Sequence, residues 1–181
     1  MNSAQRLFLK NGVGPTTIEQ ITDGAKVAKG TFYLYFSSKD EVHAALGDRF
    51  AEAHLRNIEA AVDEKAPADW RGKLAAWAAA GVDTYLDAIR LHDILFFGSR
   101  PPTREGLVEN IVIDYLAKLL RAAADAGAWS IDDCRLTAVF LFSGLHAVVG
   151  DAYIKEKRVN RARLTQRLER LCFRAVGLML G

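Results

Sequence analysis

Apolar residues recur every three or four positions along most of the chain, which is the spacing of amphipathic helices. Three such stripes are Val42-Leu46-Phe50-Ala53, Leu74-Trp77-Gly81-Tyr85-Ala88 and Leu164-Leu168-Leu171-Ala175-Leu178, the last with the spacing of a helix seam. β-branched and aromatic residues never alternate for long at period two. The pattern therefore predicts an all-α fold.

Capping signals and prolines set the predicted helix bounds. Thr17-x-x-Gln20 and Ser38-x-x-Glu41 have the form of capping boxes, and Ser130-x-x-Asp133 is a weaker version. Prolines separate the segments in which helices can run without interruption. The predicted helices cover residues 3–11, 17–25, 28–36, 39–64, 69–96, 104–126, 132–155 and 161–179.

The first forty residues predict a small bundle of three short helices. Such short helices are marginal alone and must pack together. The residues expected to face inward are Leu7, Phe8, Ile18, Ile21, Ala25, Phe32 and Phe36. Residues 24–27 form a connection of the length that joins a helix-turn-helix pair.

The outer face of the third helix carries groups suited to nucleic acid. Lys29 offers a cation, Thr31 a hydroxyl and a methyl group, and Tyr33 a phenol that can donate to a phosphate. Lys39 lies at the start of the next helix, where backbone N–H groups also favour an anion. From the residues alone, a helical cap with a solvated polar face stays open as the alternative.

Residues 12–42 resemble the DNA-binding domain of the TetR family of transcriptional regulators. The most specific part of the match is Phe32-Tyr33-x-Tyr35-Phe36-x-Ser38-Lys39, supported by Leu7-Phe8, Gly12, Thr17, Ile21, Ala25, Val27 and Gly30. The resemblance implies a helix-turn-helix DNA-binding domain over residues 1–43. It also implies a larger helical-bundle domain over 44–181 that binds a small molecule and dimerises.

Six residues of this chain match family positions that contact DNA. The resemblance implies this role for Thr17, Lys29, Thr31, Tyr33, Tyr35 and Lys39. Two positions depart from the family pattern: Lys26 replaces a glycine of the turn, and Ala28 replaces a helix-capping serine. A left-handed Lys26 and an uncapped third helix would each cost about 1 kcal/mol.

The sequence of the larger domain suggests where a ligand site and a dimer interface would lie. The large or polar-tipped residues expected to line the site are Trp77, Tyr85, Phe96, Phe97, Tyr115, Phe140 and His146. Each of them has plain core packing as its alternative. Small residues Ser143, Gly144, Ala147 and Gly150 allow close helix approach, so helices near 132–155 and 161–179 are expected to form a homodimer. The alternative is that both helices face the core of one chain.

Composition limits the other classes of function. No charge-free run reaches the roughly 18 residues of a membrane span. The chain also starts without the features of a signal peptide, so a cytoplasmic location is expected. Cys134 and Cys172 are isolated, and neither a metal site nor a cofactor or catalytic motif is visible.

These features predict a DNA-binding transcriptional regulator that responds to a small, largely apolar effector. A repressor that the effector releases from double-stranded operator DNA is the expected form. The alternative is a helical small-molecule-binding or interaction protein that no longer binds DNA. The Lys26 and Ala28 departures leave it open, as does the near-neutral charge of residues 1–50, which hold six Lys/Arg against five Asp/Glu.

Overall fold

The computed structural model describes residues 1–96, 110–156 and 158–178, and all regular structure in these ranges is helical. The helices are α1 (Asn2–Asn11), α2 (Ile18–Ala25), α3 (Lys29–Tyr33), α4 (Lys39–Asp63), α5 (Trp70–Phe96), α6 (Ile111–Asp125), α7 (Cys134–Lys155) and α8 (Arg161–Ala175). The predicted all-α fold, with a helix-turn-helix at the N-terminal end, is confirmed for this part of the chain.

Short polar side chains cap several helix starts. The Thr17 capping box is complete: Gln20 N–H donates to Thr17 Oγ1 at 3.2 Å, and Thr17 N–H donates to Gln20 Oε1 at 3.0 Å. The box at Ser38 forms only in part, because the Glu41 carboxylate binds the N–H and hydroxyl of Ser37 instead. The predicted box at Ser130 was wrong, since α7 begins at Cys134 with Asp133 as its cap.

Two predicted helices are shorter in the structure. The third was predicted over 28–36 but ends at Tyr33, so the following aromatic residues lie in a turn. The last was predicted to reach 179 but ends at Ala175, before Gly177, which has φ 78°. The predicted start of the helix at 104 lies outside the described residues.

The chain forms two compact units, which share α4 and α5. The first unit comprises Met1–Glu52 and Ala88–Arg104, and the second comprises Ala53–Asp87 and Glu105–Gly181. α5 departs from helical geometry at Ala88, where φ is −121° and ψ is 17°. The helix is therefore interrupted at the residue where the chain re-enters the first unit.

The first unit has its own hydrophobic core, in which α1 packs on α2 and α2 on α3. Its buried residues are Ala4, Phe8, Val13, Ile21, Phe32, Val42, Leu46 and Leu95, with Leu7, Ile18 and Phe36 partly buried against them. Ala25 was predicted to face inward but is exposed. It is the last residue of α2, next to the turn, where the helix no longer lies over the core.

The second unit is built on α6 and α7, which pack along each other, with α8 against α7. The buried face of α7 comprises Cys134, Ala138, Leu141, Leu145, Val149 and Ala152. On α8 the core face runs through Leu164, Leu168 and Cys172. Of the predicted helix seam, Leu164 and Leu168 are buried, whereas Leu171 and Ala175 are exposed in the single chain. Among the described helices, α7 is long and apolar enough to cross a bilayer, a property that buried helices of water-soluble proteins share.

Candidate nucleic-acid interface and ligand site

The turn between α2 and α3 is sharp and has a left-handed residue at its centre. Lys26 has φ 56° and ψ 44°, and its N–H donates to Asp23 O. The next N–H, of Val27, donates to Thr22 O at 3.1 Å. α3 then begins at Ala28 with no side-chain cap. Lys26 is therefore left-handed and α3 starts uncapped at Ala28, as the departures from the family pattern implied.

α3 buries one ring and exposes the side chains around it. Phe32 is buried in the core of the first unit, whereas Tyr33 is 52%, Leu34 80% and Tyr35 73% exposed. Thr31, on the same short helix, is half-buried. Leu34 was missed as a candidate because its type suggested core. Its offset of two positions from Phe32 places it on the opposite side of a helix, and that signal was available in the sequence.

Lys29 lies on this exposed surface in an ion pair with Glu19 of α2. Its Nζ is 2.7 Å from Glu19 Oε1, and both side chains are exposed. The hydrogen bond and the opposite charge raise the pKa of Lys29 and lower that of Glu19. The ammonium group therefore stays charged, but a phosphate would compete with Glu19 for it. No local sequence motif indicates Glu19 as its partner.

Lys39 fastens the loop before α2. Its Nζ donates to the carbonyl oxygens of Gly14 and Thr16, each at 2.8 Å. Thr16 is itself buried and donates from Oγ1 to Gly12 O at 2.7 Å. An ammonium group has three hydrogens, so one remains for a phosphate. Lys39 thus has a structural role that the sequence did not reveal, and its DNA contact stays a prediction.

The second unit brings some of the predicted ligand residues together. The Tyr85 and His146 rings are 5.0 Å apart between centroids, and Phe142 and His54 lie 4.1 Å and 6.3 Å from His146. We refer to His54, Tyr85, Phe142 and His146 as the ring cluster. Its members His54 and Phe142 were not predicted, because helix periodicity does not show which faces of α4, α5 and α7 meet.

The two histidines of the ring cluster are electrically neutral near pH 7. Burial lowers the pKa of His54 to about 4, with a smaller effect from His146. Burial also lowers the pKa of His146, although its hydrogen bond to Phe142 O, at 2.8 Å from Nδ1, opposes this. The ring cluster therefore adds aromatic surface and polarity to the interior without adding charge.

Three other predicted ligand residues have surroundings of their own. Tyr115 is half-buried, and its pKa is raised to about 12 by burial and by the nearby carboxylates Asp63 and Glu59. Phe96 belongs to the first unit, where its ring is 5.1 Å from that of His92, and Phe140 is 67% exposed. Their contact with a ligand stays a prediction. Phe97 lies outside the described residues.

Trp77 and Trp129 differ in the state of their indole N–H groups. Trp77 is 1% exposed, and its Nε1 has no acceptor among the described residues. Trp129 is also buried, but its Nε1 donates to Leu120 O at 3.0 Å. A buried N–H without an acceptor loses its hydration and gains nothing in return. Trp77 is thus the predicted ligand residue with a polar group still to be satisfied.

Open clefts on the described surface lie away from the ring cluster. One, of about 710 Å³, lies between α5 and the start of α8, where Arg161 forms ion pairs with Asp83 and Asp87. Another lies between α1 and the end of α2. Neither is lined by Trp77, Tyr85 or His146. Among the described residues, no group of three or more His, Cys, Asp or Glu side chains is arranged to hold a metal ion.

The small residues of α7 lie on different sides of the helix. Ser143 and Ala147 are exposed, and a Cβ added at Gly144 would meet no atom within 4 Å. A Cβ at Gly150 would instead lie 3.7 Å from the Tyr85 hydroxyl. The solvent side also carries the exposed Leu136 and Phe140. This part of α7 is an apolar surface with room for a second helix.

Comparison with known proteins agrees with this geometry. Residues 1–46 match the family model described as "Bacterial regulatory proteins, tetR family". Over 76 residues the chain is 36% identical to the HTH-type transcriptional regulator TtgR of Pseudomonas putida, covering 41% of this chain and 36% of TtgR. The chain therefore matches little more than a third of the length of this curated relative.

Solved structures resemble nearly the whole chain. The fatty acid degradation regulator FadR from Bacillus halodurans superposes with a TM-score of 0.74 at 21% identity, covering 94% of this chain and 91% of FadR. SmeT in its complex with triclosan has a TM-score of 0.71 at 20% identity, covering 96% of this chain and 88% of SmeT. At these identities the likeness concerns the fold.

Proposed function

We propose that the chain is a ligand-responsive, DNA-binding transcriptional regulator of the TetR family of bacterial regulatory proteins, whose family model matches residues 1–46. It acts as a repressor that a small molecule releases from its operator. The family acts by binding DNA rather than by catalysis, and we assign no catalytic residue and no cofactor. The proposal places the protein in the cytoplasm.

The observation that carries the proposal is the exposed surface formed by the end of α3 and the turn that follows it. Tyr33, Leu34 and Tyr35 remain in solvent while Phe32 anchors the helix in the core of the first unit. A soluble protein gains no stability from three such exposed side chains. Phenols that donate to phosphates and an apolar group that contacts a thymine methyl are useful in a major groove.

We assign distinct roles to the proposed DNA contacts. Thr17 presents the capped start of α2 to the backbone, and Lys29 and Lys39 bind phosphates. Thr31 reads base edges, and the two tyrosines Tyr33 and Tyr35 position α3 through phosphates. Residues 1–43 form the DNA-binding domain. Residues 44–181 form the domain that binds the effector and pairs with a second copy through α7 and α8, so that two heads read the operator together.

The proposal is tested on an operator selected from random duplexes, by titration at several salt concentrations. Lys29→Ala should weaken binding to all sequences and lower the salt slope by about 1, because one phosphate contact is lost. Glu19→Gln should have the opposite effect on affinity, since it removes both the competing partner of Lys29 and a negative charge near the phosphates. Thr31→Ala should alter the preference at one or two base pairs and leave the slope unchanged.

Lys10→Ala serves as the control, since it removes a lysine of the same unit that lies outside α2 and α3. If selection recovers no sequence that binds more tightly than random DNA, the protein is a helical small-molecule-binding protein instead. A Lys29→Ala variant with the salt slope of the wild type would remove Lys29 from the interface.

Release of the operator by an effector requires that the binding of the two ligands be thermodynamically linked. An effector releases the operator only if it binds the DNA-free geometry more tightly, and typical couplings correspond to about 5- to 150-fold weaker DNA binding. Operator DNA must then weaken effector binding by the same factor. Equal effector affinity with and without saturating operator would identify a ligand that is not an inducer.

A further inference from the structure

The interior of the second unit holds a polar group without a partner among the described residues, the indole N–H of Trp77. The side chain is buried, and Nε1 has no acceptor in the described part of the chain. A buried donor of this kind is destabilising unless another group accepts its hydrogen. Trp129, in the same unit, shows the usual arrangement, with its N–H on Leu120 O at 3.0 Å. The N–H of Trp77 is therefore available to a bound molecule.

The side chains that are buried in the described part of the second unit include none that is charged near pH 7. The buried histidine there is His54. Burial lowers the pKa values of His54 and His146, so both rings are neutral near pH 7. A carboxylate or ammonium group would lose its hydration on entering and find no opposite charge, and that cost is large.

The ring cluster offers aromatic faces to flat, apolar groups. Tyr85 and Phe142 lie 5.0 Å and 4.1 Å from His146 between ring centroids, which is within the range of stacked and edge-to-face aromatic pairs. Trp77 and Tyr85 are both buried on α5, eight positions apart, a rise of about 12 Å. A ligand of two rings is long enough to extend over such a distance.

We propose that the effector is an uncharged, largely aromatic molecule with an oxygen acceptor, and that the Trp77 indole N–H binds this oxygen. This assignment rests on the proposed function, because it names the class of ligand for the same domain. Aryl ketones, quinones and aryl ethers fit the description. Fatty acids and other carboxylates do not, although the similar FadR is named for fatty acid degradation.

The test uses three matched probes on the DNA-free protein labelled with ¹⁵N. Benzophenone has a carbonyl acceptor, diphenylmethane has the same two rings without it, and 4-benzoylbenzoate adds a carboxylate. Benzophenone should shift the indole N–H resonance of Trp77 and leave that of Trp129 in place. Diphenylmethane should bind about three- to tenfold more weakly, the usual effect of one hydrogen bond. The carboxylate should bind at least about 30-fold more weakly than benzophenone.

Variants separate the hydrogen bond from ring packing. Trp77→Phe retains an aromatic ring but lacks the N–H, so its affinity for benzophenone should fall to that of diphenylmethane. Trp129→Phe is the matched control and should bind benzophenone as the wild type does. The resonance of Trp77 in the wild type gives a reading that does not depend on the folding of any variant.

Several results would overturn the assignment. These are equal affinity of 4-benzoylbenzoate and benzophenone, an unshifted Trp77 resonance in the saturated complex, full benzophenone affinity in a folded Trp77→Phe variant, or no binding of either neutral probe. Operator titrations then address the proposed function separately. Benzophenone that binds at Trp77 but leaves operator affinity unchanged supports the ligand class and contradicts the effector role.

Discussion

Lys26 is the non-glycine residue with positive φ in the described part of the chain, where Gly12, Gly127 and Gly177 hold the other such positions. A side chain in the left-handed region brings Cβ close to the carbonyl oxygen, at a cost of about 1–2 kcal/mol. The turn between α2 and α3 is therefore strained at a single residue. Its hydrogen bonds to Asp23 O and Thr22 O maintain that geometry.

Lys26→Gly should raise the free energy of unfolding by about 1 kcal/mol, because glycine adopts the left-handed region without this strain. Gly127→Ala provides the reverse control: its φ is 74°, and a Cβ there meets no atom within 4 Å, so any loss comes from the backbone alone. Denaturant unfolding of both variants measures the two effects. If Gly127→Ala is destabilised but Lys26→Gly gains nothing, the turn relaxes in solution and the strain is absent.

Local sequence was sufficient to predict some residue-scale features and not others. The Thr17 cap follows from spacing and residue type within a few positions, whereas the left-handed Lys26 and the uncapped Ala28 were implied by the resemblance to the family pattern. The bonds of Lys29 to Glu19 and of Lys39 to the loop carbonyls join residues 10 to 25 positions apart. Their formation depends on the angle of the turn, which no short motif specifies.

At the scale of elements, periodicity predicted the helices well but did not predict what each face meets. α7 carries apolar residues on its buried side and also on its exposed side, at Leu136 and Phe140. Phe140, which was expected to line an interior site, lies on the exposed side. Likewise, Phe96 and Tyr85 lie on one helix but in different units, because α5 is interrupted at Ala88.

The burial of His54 on α4 predicts a pH dependence of stability. The pKa of His54 is about 4 in the folded chain and is expected near 6.5 when unfolded. The unfolded state therefore binds more protons between these values. Stability from this residue is fully present above about pH 6.5 and is lost as the pH falls towards 4, by about 3 kcal/mol in total. The lowered pKa of the adjacent His146 acts in the same direction.

His54→Leu should remove this contribution, so the difference in unfolding free energy between wild type and variant should change with pH between 6.5 and 4. Carboxylate protonation affects the stability of both proteins equally, so it cancels in the difference between their unfolding free energies. An NMR titration of the His54 ring in the wild type checks the cause independently. A ring that titrates near pH 6.5 in the folded protein would contradict the prediction.

At the scale of the whole molecule, the exposed apolar surface of α7 predicts self-association. Gly144→Leu should leave the folded chain intact, because its Cβ faces open space, but should block close approach of a second helix. We expect monomers or aggregates with little operator affinity, because two joined heads bind more tightly than one. Sedimentation, with circular dichroism to verify folding, measures the result.

Gly144→Ala is the matched control, since one methyl group still permits close approach. It should sediment as the wild type does. A wild-type protein that is a stable monomer at micromolar concentration would contradict the proposed interface, as would a Gly144→Leu variant that remains dimeric and binds operator normally.

The first unit takes part of its core from residues beyond Ala88, and this affects how DNA specificity is transplanted between regulators. Leu95 is buried with Phe8, Val42 and Leu46, and Ile94 O lies 3.1 Å from His43 Nε2. A chimaera that joins residues 1–46 to another regulator would leave these contacts behind and expose Val42 and Leu46 to water. A functional graft must therefore carry two separate segments of the gene, one encoding residues 1–52 and one encoding the stretch that follows Ala88.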